Sequence, residues 1–123
     1  MPDEPRYLKH LGCPCGECDG FPPDTAALQE TAHWLEEVER ALGGHQLLIL
    51  GGYQCPEEQA RHLELDGAAH TEGRAVDFVV RKLSPRSVQV MLRSVWPDLV
   101  QSLGSWRGFT HVARGGEHRL WRE

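Results

Sequence analysis

The chain contains no apolar run that approaches the roughly 20 residues a membrane-spanning helix needs, so no membrane partner is expected. It also lacks an excess of positive charge: 13 Lys and Arg stand against 18 Asp and Glu, for a net charge of -5. Nucleic-acid binding needs a clustered basic face. The densest basic group here, Arg114, Arg119 and Arg122, is interleaved with Glu117 and Glu123, which argues against a nucleic-acid partner. The opening Met1-Pro2-Asp3-Glu4-Pro5-Arg6 has no hydrophobic stretch behind it and does not read as a secretory signal. No internal repeat or low-complexity linker divides the sequence. Residues 1–123 are expected to form one domain, acting as a monomer and long enough to bury a core without depending on disulfides.

What is present is a series of short elements. Residues 1–23, rich in Pro, Gly and Cys, read as a compact irregular lead-in. Asp24 has the character of an N-cap for a helix from about Thr25 to Leu42. Leu28, Ala32, Leu35, Val38 and Leu42 recur on one side of it, and Gly43-Gly44 ends it. Gln46 to Leu50 reads as a buried strand, followed by a long loop from Gly51 to about Ala69. A second strand is expected at Ala75-Val76-Asp77-Phe78-Val79-Val80. Ser84 then caps a helix with Pro85 in its first turn, and Pro97 closes it. Residues 108–113 and 118–121 read as a final hairpin around Gly115-Gly116. The expected fold class is α+β: a small, mainly antiparallel sheet with helices packed on one side.

Asp77 is the residue that calls for chemistry. Burying an unpaired carboxylate in a strand costs several kcal/mol or drives it to protonate, and a metal ion is one of the few partners that favours its ionised form. Strand alternation sends Val76, Phe78 and Val80 to one face and Ala75, Asp77 and Val79 to the other. The first set is the natural core face, so Asp77 projects from the opposite face, beside small Ala75, where a cleft could form. His70, seven residues upstream, and His111, in Phe109-Thr110-His111-Val112-Ala113, are candidate partners. Two His and one Asp, with a coordination position left open, form a candidate catalytic zinc site. The alternative is an Asp satisfied by backbone or arginine hydrogen bonds, and whether the two strands are neighbours stays open at this point.

The cysteines form a second constellation. Cys13, Cys15 and Cys18 fall within six residues, and Cys55 lies beyond the first strand. Three tightly spaced thiols with one distant partner suit a structural zinc held by four thiolates. Disulfides, for instance Cys55 with an N-terminal Cys, and free buried thiols are the alternatives.

The string His70-x-x-Gly73-x-Ala75-x-Asp77 resembles the signature of the zinc D-Ala-D-Ala metallopeptidases, a group structurally related to the Hedgehog signalling domain. Gly51-Gly52-Tyr53-Gln54-Cys55-Pro56-Glu57 is similar to that family's Ser-Gly-Tyr-Arg-Cys-Pro-Glu stretch. Phe109-Thr110-His111-Val112, followed by Arg119-Leu120-Trp121, resembles its final His motif and terminal Arg-Trp. The opening Cys13-Pro14-Cys15-Gly16 is similar to the lead-in of small, often phage-associated members, so a cytoplasmic or phage-associated location is expected. The resemblance spans nearly the whole chain in the expected order. It implies a Hedgehog/DD-peptidase-like fold and one zinc held by His70, Asp77 and His111. It also implies a water in the fourth position that attacks a peptide bond in peptidoglycan stem peptides, as in carboxypeptidases and endopeptidases of this kind.

The sequence departs from the family pattern at the remaining roles. Gly108 stands where the dipeptidase and carboxypeptidase branches place an acid, and Ala113 where other small members have Asp. Gln54 replaces the Arg after the Gly-Tyr pair as the candidate substrate contact, and Ala68 replaces a Ser two before the first His. A general acid/base contributes about 10²–10⁴-fold in rate, so an enzyme would need a substitute. Glu72, between the two ligands, is the first candidate, with Glu117 and His118 behind it. Arg74 and Arg107 are candidates for a carboxylate anchor. The alternative reading is a metal-binding domain of the same fold that has lost catalysis and acts by binding.

Overall fold

Leu28, Ala32, Leu35 and Val38 recur at helical spacing and form the buried side of helix α1, Ala26–Ala41, in the computed structural model. The structure describes residues 5–13, 15–16, 18, 20–22, 25–56, 73–97 and 108–113. The N-cap of α1 is Thr25, and Asp24 lies outside the described residues. At the other end Gly43 and Gly44 take positive φ, and their N–H groups bond back to the carbonyls of Arg40 and Glu39 at 3.1 and 2.8 Å. That pair of bonds is a Schellman ending, and glycine adopts its left-handed turn without a Cβ penalty.

Three strands follow the expected pattern: β1 (Leu47–Gly51), β2 (Ala75–Val80) and β3 (Thr110–Ala113). They pair antiparallel in the order β1-β2-β3. Between β2 and β3 lies helix α2, Pro85–Val95. Ser84 caps α2 by accepting the Ser87 N–H at 3.1 Å, and Pro85 fills a first-turn position whose N–H would have no helical partner. Trp96 ends α2 and meets Trp34 of α1 edge-on, with ring centroids 5.5 Å apart.

The core face of β2 is the one that alternation assigned. Val76, Phe78 and Val80 pack with Leu28, Leu35, Val38, Val88, Leu92 and Val112 in one cluster. Side chains of this kind each contribute about 1.5–3 kcal/mol when fully buried. The fold is therefore α+β, with the two helices and the short lead-in contributing to a single core.

The first strand was expected to be buried, yet Leu48 and Leu50 are 62% and 54% exposed. Alternation turns Leu47 and Ile49 toward the core cluster and Leu48 and Leu50 to the opposite face of the sheet, which is solvated at this strand. The expected hairpin partner at 118–121 lies outside the described residues, as does most of the loop expected between Gly51 and Ala69.

The lead-in is fastened to this body at several points. Tyr7 is buried, and its hydroxyl accepts the Leu47 N–H at 3.0 Å while also meeting Glu39 of α1. The Tyr53 N–H donates to the Leu11 carbonyl at 2.8 Å. A Cβ built on Gly52 would stand 2.8 Å from Leu11 Cα and from its carbonyl oxygen, so only glycine permits the crossing.

Candidate metal centres

Antiparallel pairing makes Asp77 of β2 and His111 of β3 direct register partners. Their side chains stand on one face of the sheet, with His111 Nδ1 2.5 Å from Asp77 Oδ1. Both residues are buried, at 8% and 2% exposure. A proton on Nδ1 would make this contact a charge-assisted hydrogen bond, and a cation could be shared by the same two atoms. Strand adjacency, which spacing could not establish, is thus a property of the fold.

The other flank of Asp77 is shaped by a break in the β1–β2 ladder. Ile49 pairs with Phe78, but Gly51 pairs with Asp77, so Leu50 is an extra residue in β1. A bulge of this kind re-aims the strand beyond it. It sets Gly51 beside the carboxylate: a Cβ built on Gly51 would stand 3.6 Å from Asp77 Oδ2. Glycine leaves that space open. In the sequence Gly51 stands only as a letter of a motif, and the Gly51-Gly52 pair is the signal of close backbone approach.

Gly73 is a second glycine that spacing alone did not single out. It takes φ +78 just before β2, buried against Leu28 of α1. Its carbonyl accepts the Thr31 hydroxyl at 2.8 Å. The entry to β2 is therefore pinned to α1 four residues before Asp77.

Of the other candidates, Gln54 is buried, and its side-chain carbonyl oxygen has no hydrogen-bond partner among the described residues. Gly108, at the family's acid position, is exposed with φ +81. Arg74 is half-buried at the start of β2. His70, Glu72, Arg107, Glu117 and His118 lie outside the described residues.

The four cysteines converge. Their sulfur atoms all lie within 4.8 Å of one another, and they are the one group of three or more His, Cys, Asp or Glu donors that meets this limit among the described residues. Cys15 Sγ is 3.5 Å from Cys18 Sγ and 3.7 Å from Cys55 Sγ. None of the four is in a disulfide. Burial pushes the Cys13 thiol up from its ordinary pKa.

The donor chemistry on the Asp77 side fits zinc. Imidazole nitrogen and carboxylate oxygen are donors that zinc accepts, and the space that Gly51 leaves beside Oδ2 is not filled by a Cβ. The sequence matches the family model described as Peptidase M15 over residues 8–113. No curated protein and no solved structure matches it.

Proposed function

The chain belongs to the peptidase M15 family, whose members are zinc-dependent, and on that premise we propose that it hydrolyses peptide bonds of peptidoglycan stem peptides, or bonds to D-amino acids. The residues that would hold the metal are His70, Asp77 and His111. The observation that carries this reading is the buried Asp77–His111 pair on one face of the sheet, in the family's ligand order. Zinc bound there supplies Lewis acidity to a scissile carbonyl and to a water.

The chain's own residues do the positioning. Backbone pairing on both sides of β2 sets Asp77 opposite His111 on one face of the sheet, so a small side-chain adjustment that opens their 2.5 Å contact would bring both donors onto one cation. Burial limits competing water around the two donors. Glu72 is the proposed proton acceptor, since it lies between two ligand positions in the sequence, two residues from His70 and five from Asp77. Gln54 presents a neutral amide, and Arg107 a cation, for substrate contact.

A second reading, a metal-binding domain without catalysis, is favoured by Gly108, which carries no side chain at the family's acid position. The experiment that separates the two uses zinc-loaded protein on muropeptides of known linkage. Hydrolysis by the wild type, lost together with Asp-site zinc in Asp77→Asn, supports the peptidase reading. The metal loss should exceed the roughly 10–100-fold in affinity that a change behind the ligands produces. Wild type that retains zinc at these residues but cleaves no linkage supports the binding reading. Glu72→Gln should keep its metal content and lose about 10²–10⁴-fold in turnover; full activity would remove Glu72 from the mechanism.

A further inference from the structure

The cysteine cluster takes no part in that chemistry and needs its own account. We propose that Cys13, Cys15, Cys18 and Cys55 hold one zinc ion through four thiolates, a structural centre separate from Asp77 and His111. The function of this centre is to clamp the N-terminal lead-in onto the strand exit that carries Gly51.

Geometry is the first support. A tetrahedral zinc with bonds of about 2.3 Å to sulfur separates its ligands by about 3.8 Å along each edge. The sulfur pairs at 3.5 and 3.7 Å lie near that value, and all pairs fall inside 4.8 Å. A disulfide requires about 2.05 Å, and none of the four cysteines is in one.

Backbone groups around the sulfurs supply the second support. The Gly20 N–H points at Cys18 Sγ at 3.3 Å, and the Cys55 N–H at Cys13 Sγ at 3.4 Å. Such donors favour the thiolate over the thiol and orient it, as outer partners of metal ligands do. Gly16 and Gly20 take φ +78 and +89, turning the chain so that three ligands return to one point. The Cys13 N–H closes this turn on the Gly20 carbonyl at 2.7 Å.

Exposure is graded in a way that suits loading. Cys55 is buried, Cys13 and Cys15 are half-buried, and Cys18 is exposed, so an ion can enter from the Cys18 side. Soft thiolate donors in a tetrahedral set select zinc or iron over calcium, magnesium or manganese.

The structural consequence follows from the chain path. Cys55 lies four residues after Gly51, and the residues between them already cross the lead-in through Gly52 on Leu11 and the Tyr53–Leu11 bond. A bond from zinc to Cys55 and to Cys15, 40 residues apart, locks the same crossing. The segment that leaves the bulge beside Asp77 is thereby held from its far end.

The test uses the full chain purified under reducing conditions with zinc present, and reads metal per chain by mass spectrometry. The double variant Asp77→Asn/His111→Ala should retain one zinc, and its cobalt-substituted form should show strong near-ultraviolet thiolate-to-cobalt charge transfer. Adding Cys18→Ser, the mildest change at the most exposed ligand, should remove that spectrum and the remaining equivalent. Stripping the double variant with a chelator should lower its melting temperature, and added zinc should restore it. A folded double variant that binds no metal, or that forms two disulfides by intact mass once the reductant is removed with zinc still present, overturns the proposal. Iron in place of zinc after expression with both metals overturns the assignment of the ion. The peptidase reading fails on a different outcome, the absence of metal at Asp77 with the cysteine spectrum intact.

Discussion

The Thr31 hydroxyl, on α1, shares its single proton between the carbonyls of Gly73, at 2.8 Å, and Ala27, at 3.0 Å. One buried side chain thus ties the middle of the long helix to the residue that leads into β2. The tie lies four residues before Asp77, at the point where the chain enters β2.

Gly73→Ala should test it. The added methyl would stand 3.3 Å from Leu28 N and 3.4 Å from Leu28 Cα, at a φ of +78 that residues with a side chain avoid. Left-handed backbone costs about 1–2 kcal/mol per residue, so the variant should lose at least that much stability in urea unfolding. Thr31→Val, which removes only the hydrogen bond, should lose about 1 kcal/mol, with the Gly73 carbonyl left short of a partner. Equal stability of Gly73→Ala and wild type would show that this position does not depend on glycine.

Gly108 links stability to chemistry. Its φ of +81 favours glycine, yet a Cβ built there meets no atom of the described residues within 4 Å. Gly108→Asp should therefore cost about 1 kcal/mol from backbone conformation alone, and less than Gly108→Ala, because Asp tolerates the left-handed region better. On cell-wall peptides, zinc-loaded Gly108→Asp should turn over faster than wild type if the site lacks only a proton acceptor. Unchanged turnover with full metal content would place the deficit elsewhere.

Thr110 neighbours His111 but faces the core, opposite Phe78. Its hydroxyl is buried without a hydrogen-bond partner among the described residues. Replacing it by the similarly shaped valine should remove the desolvation penalty of that group and raise stability by about 1 kcal/mol, seen as a higher unfolding midpoint. Metal content should not change, since the side chain lies on the face away from Asp77.

The sequence by itself determined what depends on near neighbours. Helical spacing of Leu28, Ala32, Leu35 and Val38 assigned the buried side of α1, Gly43-Gly44 its end, and Ser84-Pro85 the start of α2. Alternation in β2 assigned Asp77 to the face away from Phe78. These are signals of one turn or one pleat, and each is read within a few residues. The tertiary structure alone decided which strands meet. That β2 and β3 are adjacent, that Asp77 registers with His111 34 residues away, and that Leu50 is the extra residue setting Gly51 beside Asp77 all follow from pairing across the sheet. The same holds for Leu48 and Leu50, apolar by composition but exposed because they stand on the face of β1 away from the core cluster. It holds too for the convergence of Cys55 on the other three cysteines. Burial and register are chosen by what packs against a strand, and no local pattern carries that information.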